Sequence, residues 1–141
     1  MMEVLKDNFD FETMFNRALK ALEKSYSPYS KLKVASIIKT KGNLFFEGVN
    51  IENASYGLTN CAERSALYNA YSKGVKKEEI EKMLVLSSSS KIISPCGACR
   101  QVMVELMNED AEIIMCDANK NYRIVKVKEL LPLEFNSKDL T

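Results

Sequence analysis

Met83-Leu84-Val85-Leu86 passes through Ser87-Ser88-Ser89-Ser90 to Pro95-Cys96-Gly97-Ala98-Cys99-Arg100-Gln101, and the stretch closes with Ala111-Glu112-Ile113-Ile114-Met115. The two short apolar runs are bounded by turn residues and read as strands. Between them Val102, Met103 and Leu106 recur at helical spacing, so a helix begins at the cysteine pair and turns those residues inward. Upstream, residues 61 to about 73 predict another helix, with Gly74 as the residue that ends it. Residues 32–38 and 44–49 predict a hairpin across Lys41-Gly42-Asn43. Phe11, Met14, Phe15, Ala18, Leu19 and Leu22 predict the first helix, capped by Asp10 and stopped before Ser25-Tyr26-Ser27-Pro28. Downstream, residues 122–127 follow the Asp117-Ala118-Asn119-Lys120 turn as a last strand, and a short helix around Glu129 ends against Pro132. The order α-β-β-α-β-α-β-β-α predicts an α/β fold, a mixed sheet of about five strands packed between helices. No repeat or linker interrupts it, so residues 1–141 are expected to form one domain.

Composition narrows the function classes. The chain holds 46% apolar and 28% charged residues, as a globular protein does. Its formal net charge of +1 argues against nucleic-acid and membrane partners. No run approaches the roughly 18 apolar residues of a membrane span. Met1-Met2-Glu3-Val4-Leu5-Lys6-Asp7 is too charged for a leader, so a reducing, cytoplasmic setting is expected for the four cysteines. Histidine is absent altogether, which excludes histidine bases, Ser-His-Asp triads and Cys-His nucleophile pairs.

Cys61, Cys96 and Cys99 can converge on one metal ion. Cys61 and the Cys96-x-x-Cys99 pair each lie at the start of a helix, where the dipole and unpaired N–H groups favour thiolates. Asn60 is expected to cap the helix behind Cys61. Cys96-x-x-Cys99 taken alone fits a redox dithiol as well as a metal site. Cys61, followed two residues later by Glu63, favours the metal. Three sulfurs leave one tetrahedral position open, the arrangement of a catalytic zinc. Cys116, alone at a strand end, reads as a small buried hydrophobe. Glu63 alone would be an ordinary first-turn acid, but a body beyond the helix end is within reach of the whole first turn.

Cys61-Ala62-Glu63-Arg64 with Pro95-Cys96-Gly97-Ala98-Cys99-Arg100-Gln101 resembles the small, homotetrameric, zinc-dependent cytidine deaminases. Tyr29-Ser30-Lys31, Asn50-Ile51-Glu52-Asn53-Ala54-Ser55-Tyr56 and Leu130-Leu131-Pro132 with Phe135 and Asp139-Leu140 extend the resemblance from about Ser25 to the chain's end. It implies a three-layer α-β-α fold and Zn²⁺ on Cys61, Cys96 and Cys99. It also implies hydrolysis of cytidine and deoxycytidine in pyrimidine salvage, with Glu63 as the proton carrier. Arg64 and Gln101 would surround the ligands, Arg64 donating to cysteine sulfur. Arg100 reads equally well as a surface arginine.

The carbonyls of Ala62 and Ser94 are expected to accept from the substrate's amino group. Asn50 and Glu52, two apart at a strand end, share a face and suit a sugar diol. Without the resemblance they read as polar residues on an exposed strand. A carboxylate there would repel a 3′-phosphate, which favours a free nucleoside over a polynucleotide. Tyr56 and Phe135 match positions that reach a neighbouring subunit's site, although packing alone would also explain them. Leu32 stands where the family usually carries a phenylalanine, and Lys33-Val34-Ala35-Ser36 departs from the usual Gly-Ala after the valine. Leucine offers the base an apolar wall but no ring face.

Overall fold

A computed structural model describes residues 8–140. The opening heptapeptide, and with it the reading of a leader, lies outside the described residues. Five strands form one sheet in the order β2-β1-β3-β4-β5: β1 (Val34–Thr40), β2 (Phe45–Val49), β3 (Ile80–Ser87), β4 (Glu112–Cys116) and β5 (Tyr122–Lys126). All neighbours run antiparallel except β3 and β4, which are parallel, with Met83 opposite Ile113 and Leu86 opposite Cys116. The helix that joins those two strands supplies the crossover that parallel pairing requires.

The central strands are apolar on both faces, and successive side chains point to opposite sides. Ile37, Leu84, Leu86, Ile114 and Cys116 pack under α1 (Asn8–Leu22) with Phe11, Met14, Phe15 and Ala18. Ile38, Met83, Val85, Ile113 and Met115 pack on the opposite face with Leu67 and Ala70 of α2 (Ala62–Ser72) and Met103 of α3 (Gly97–Leu106). The expected three layers are present: α1, the sheet, then α2 and α3. A four-residue α4 (Val127–Leu130) follows β5.

Local differences have physical reasons. Asp10 does not cap α1. It lies within that helix, buried, where its carboxylate meets Lys39 Nζ at 3.3 Å and Lys82 Nζ at 3.6 Å. Leu19 is exposed and Ala21 buried, because Ala18 and Ala21 continue the sheet-facing stripe of Phe11, Met14 and Phe15. β1 starts at Val34, two residues later than expected. The chain before it is tied down by side chains from residues 50 and 52 and bends through Lys31 at φ 63°. α2 does end at Gly74, which has φ +91° and donates to the Tyr71 carbonyl while Val75 donates to that of Ala70.

Gly48 sets the fit of α2 on the sheet. A Cβ there would stand 2.2 Å from the Ala66 nitrogen and 2.6 Å from the Ala62 oxygen, so only glycine admits this approach. The first turn of α2 is thereby pressed against β2, which fixes where that helix begins.

Candidate metal centre and active site

Two helix N-termini meet at the end of the sheet where β1 begins, at Val34, and β3 ends, at Ser87. Cys61 is itself the N-cap of α2, in extended conformation, and its sulfur makes no capping bond. Asn60, expected to cap, instead donates to the Ser65 hydroxyl at 3.2 Å. Cys96 is the N-cap of α3, and its sulfur accepts the Cys99 N–H at 3.4 Å. The three sulfurs of Cys61, Cys96 and Cys99 lie within 4.8 Å of one another, Cys61 and Cys96 at 3.6 Å.

All four cysteines are free thiols. A disulfide would need a separation of about 2.05 Å. Tetrahedral coordination at the usual zinc–sulfur length of about 2.3 Å places ligating sulfurs about 3.8 Å apart, which the 3.6 Å separation fits. Among the described residues no fourth histidine, cysteine or carboxylate ligand joins this group. Cys116 packs on the α1 face of the sheet, where its thiol donates to the Val85 carbonyl at 3.5 Å. Burial pushes that thiol up to about 12, so it stays protonated.

Charge within the cluster is arranged by neighbours. Arg64 Nη2 donates to Cys61 Sγ at 3.5 Å, and its buried Nε has no partner among the described residues. A hydrogen bond from Cys99 holds Cys61 down at about 5 against the effect of burial, with Arg64 and Cys96 adding to the pull. Cys99 is correspondingly raised, first as the donor to Cys61 and then by burial. Of these two sulfurs, Cys61 is the one favoured as thiolate.

Glu63, one residue into α2, is only 5% exposed. Burial pushes its carboxyl up to about 7; the Cys61 charge adds to that, while its own main chain and Arg64 oppose it. It lines a cavity of about 220 Å³ whose wall also includes Cys61, Cys96, Ala62 and Leu32. Asn50, Glu52 and Ser94 complete that wall. The structure therefore brings together, in one chamber beside the sulfurs, every expected site residue except Tyr56, Phe135, Arg64, Gln101 and the buried Cys99.

Their detailed roles differ from a simple strand-end picture. Asn50 is buried, and its amide is largely committed: Oδ1 accepts from Ser25 Oγ at 2.5 Å and from the Val34 N–H at 2.9 Å, while Nδ2 donates to the Leu32 carbonyl at 2.8 Å. It fixes Leu32 against the cavity. Glu52 accepts from the N–H groups of Tyr29 and Ser30 at 3.0 and 3.1 Å, and from the Ser30 hydroxyl. The Ser30 hydroxyl leads these contacts in holding the Glu52 carboxyl below the usual carboxylate range. The Ala62 oxygen lies in the first turn of α2 against Gly48, so the expectation of a carbonyl facing the substrate does not suit it. The Ala62 N–H, first of the helix, is one of the groups with no intrahelical partner.

Tyr56 is 80% exposed and lines an adjoining cavity of about 260 Å³ with Tyr29 and Glu52. Phe135 is 57% exposed and joins neither cavity; its carbonyl accepts from Gln101 Nε2 at 2.8 Å. Gln101 therefore holds the C-terminal segment, not the sulfurs. Sequence reasoning missed Gly48, Ser25 and Ser30. A glycine inside an apolar strand run was the available signal for the first. The other two sat in a serine-rich turn whose long-range partners have no local signature.

Comparison with known proteins follows the same lines. Residues 10–116 match the family described as cytidine and deoxycytidylate deaminase zinc-binding region. A cytidine deaminase of Halalkalibacterium halodurans is 40% identical over 131 residues, 93% of this chain and 98% of that protein. One from Mycoplasma genitalium is 34% identical, covering 86% of this chain and 92% of that protein. The crystal structure of a cytidine deaminase from Burkholderia pseudomallei superposes with a TM-score of 0.85 at 40% identity, covering 88% of this chain and 98% of that one.

Proposed function

The chain belongs to the cytidine and deoxycytidylate deaminase zinc-binding family, and from that premise we propose that it hydrolyses cytidine and deoxycytidine. Water replaces the exocyclic amine, giving uridine or deoxyuridine and ammonia. One observation carries the reading: a buried carboxyl, Glu63, lines a small chamber with Cys61 and Cys96, two of three sulfurs placed to hold one ion.

Cys61, Cys96 and Cys99 would hold the zinc, which when bound supplies the Lewis acidity that makes water a competent nucleophile near neutral pH. Glu63 takes the proton from the attacking water and passes it to ring N3. It then carries a proton to the departing amine. Burial raises the Glu63 carboxyl toward neutrality, the direction that suits a group that must both accept and release a proton. The Arg64 guanidinium draws charge from Cys61, offsetting three thiolates on one ion. The Ala62 N–H faces the pyrimidine, and the Ser94 carbonyl receives the amino group. Leu32 supplies an apolar wall for the base, held at its height by Asn50. Glu52 accepts from a ribose hydroxyl with the lone pairs its turn contacts leave open.

Tyr56, Leu133, Phe135 and Leu140 are exposed apolar side chains, and they support a homotetramer in which Tyr56 and Phe135 serve neighbouring sites. Both apolar clusters share the same sheet, which supports reading the described residues as one domain. Four reduced cysteines support a reducing, cytoplasmic setting and a place in pyrimidine salvage, with no nucleic-acid or membrane partner.

Ultraviolet absorbance of cytidine, followed beside a metal analysis of the same preparation, tests this reading. The expected result is steady conversion by protein carrying about one zinc per chain. Fully metallated protein that leaves both nucleosides untouched would overturn it.

A further inference from the structure

Arg100 follows the ligand Cys99 directly, yet its guanidinium is spent on other partners. Nε donates to the Pro95 carbonyl at 2.8 Å, Nη1 to the Leu130 carbonyl at 2.9 Å, and Nη2 to the Ser94 hydroxyl at 2.5 Å. The next residue, Gln101, donates to the Phe135 carbonyl. Arg100 thus ties the segment before Cys96 to the end of α4, and Gln101 adds a tie from α3 to Phe135.

Ser94 lines the chamber beside the sulfurs. It also lines a second cavity, of about 510 Å³, together with Ile92, Arg100 and Leu130. Ser94 is therefore a partition with space on both sides. Pro95 behind it is buried and lines neither cavity, so packing holds Pro95 but leaves Ser94 to its hydrogen bonds. The guanidinium can set its position, because that rigid planar fork bonds in three directions at once. Cys96 has separate anchors: its carbonyl accepts the Arg100 N–H at 3.0 Å and its sulfur accepts the Cys99 N–H. The metal ligands do not depend on the Arg100 side chain.

We propose that Arg100 is a positioning residue, its fork holding the Ser94 partition at the depth where the Ser94 carbonyl meets the substrate's amino group. The inference rests on the deaminase reading above and adds a residue to it. Main-chain carbonyls on a partition keep their aim only while the partition stays still. Leu130, braced at the other side of the fork, makes the end of α4 part of the active-site frame.

Arg100→Ala tests the proposal. Zinc per chain should stay at the wild-type value. Turnover efficiency for cytidine should fall about 10- to 100-fold, the loss expected from one or two charged hydrogen bonds. Inhibition by uridine, which lacks the amino group, should stay within about threefold. Free guanidinium ion should recover part of the variant's activity and none of that of Arg100→Lys, whose point charge cannot fork. Wild-type turnover, an equal loss of uridine affinity, or loss of zinc would each overturn the assignment. Hydrogen exchange gives a readout independent of turnover: peptides spanning 92–96 and 130–135 should loosen together in Arg100→Ala. Unchanged exchange would sink the clamp even in an active enzyme. Coupled loosening in a protein that never deaminated cytidine would leave the clamp standing and remove only the reaction.

Discussion

A carboxyl one residue inside a helix, beside a thiolate and 5% exposed, is held where few glutamates sit. With proton transfer assigned to it, Glu63→Gln should lower cytidine turnover by about 100- to 10,000-fold, the usual span for a lost general acid–base group. Zinc content should not change, since the carboxylate lies outside the sulfur group; metal analysis beside steady-state kinetics checks both. The same burial has a stability consequence in the metal-free protein. The folded-state value of about 7 stands above the ordinary 4.5, so the folded protein keeps a proton that the unfolded chain releases between those values. Stability from this group is therefore complete below pH 4.5 and is lost as pH rises through 7, by about 3 kcal/mol at most. Cys61, held down at about 5, has the opposite slope, so the comparison must be between variants. Metal-free Glu63→Gln should melt higher than metal-free wild type at pH 8, with the difference closing at pH 5. Equal midpoints at both would show that the carboxyl is not desolvated. Glu63 could be singled out in the sequence because its signature is a short spacing from a cysteine. Its burial could not, because neighbouring elements create it.

Helix placement carries the site one level up. α2 delivers Cys61 and Glu63 to the chamber, and its seat on β2 is set by the hydrogen atom that Gly48 has in place of a side chain. Gly48→Ala drives a methyl into the Ala66 main chain, which cannot swing aside as a side chain would. We expect destabilisation at or above the upper end of the usual overpacking cost of about 1–3 kcal/mol, read from denaturant melts. Zinc affinity should weaken as well, because the helix that yields is the one presenting a ligand; a variant that melts normally would refute the close seat. Helix and strand order was readable here from apolar spacing, Gly74 and the prolines. Boundaries near residues 25–34 were not. The hydrogen bonds that hold that stretch come from Asn50 and Glu52, some twenty positions away, and local pattern carries no trace of them.

At the scale of the whole molecule, the metal joins the N-termini of two helices on one face of one sheet. Chelation should therefore lower the thermal midpoint, and added zinc should raise it in proportion to the logarithm of its concentration once above the dissociation constant. A midpoint indifferent to zinc would place the ion outside the fold. The proposed tetramer, covering exposed Tyr56, Leu133 and Phe135, should sediment as four 16.0 kDa chains; a monomer would overturn it. Co-assembled Glu63→Gln and Phe135→Ala chains should then recover activity that neither retains alone; no recovery would confine each site to its own chain. The amino-acid sequence by itself determined the chemistry, because three cysteines, one nearby acid and no histidine leave few reactions open. It also determined the layered order, because hydrophobic periodicity is a local property. Only the tertiary structure decided that Cys116 is turned to the α1 face, that Asn50 bonds to the Leu32 carbonyl, and that Arg100 bonds to Ser94 and Pro95. Each of those depends on which distant segments the sheet brings within hydrogen-bonding reach, and that is a property of packing, not of spacing along the chain.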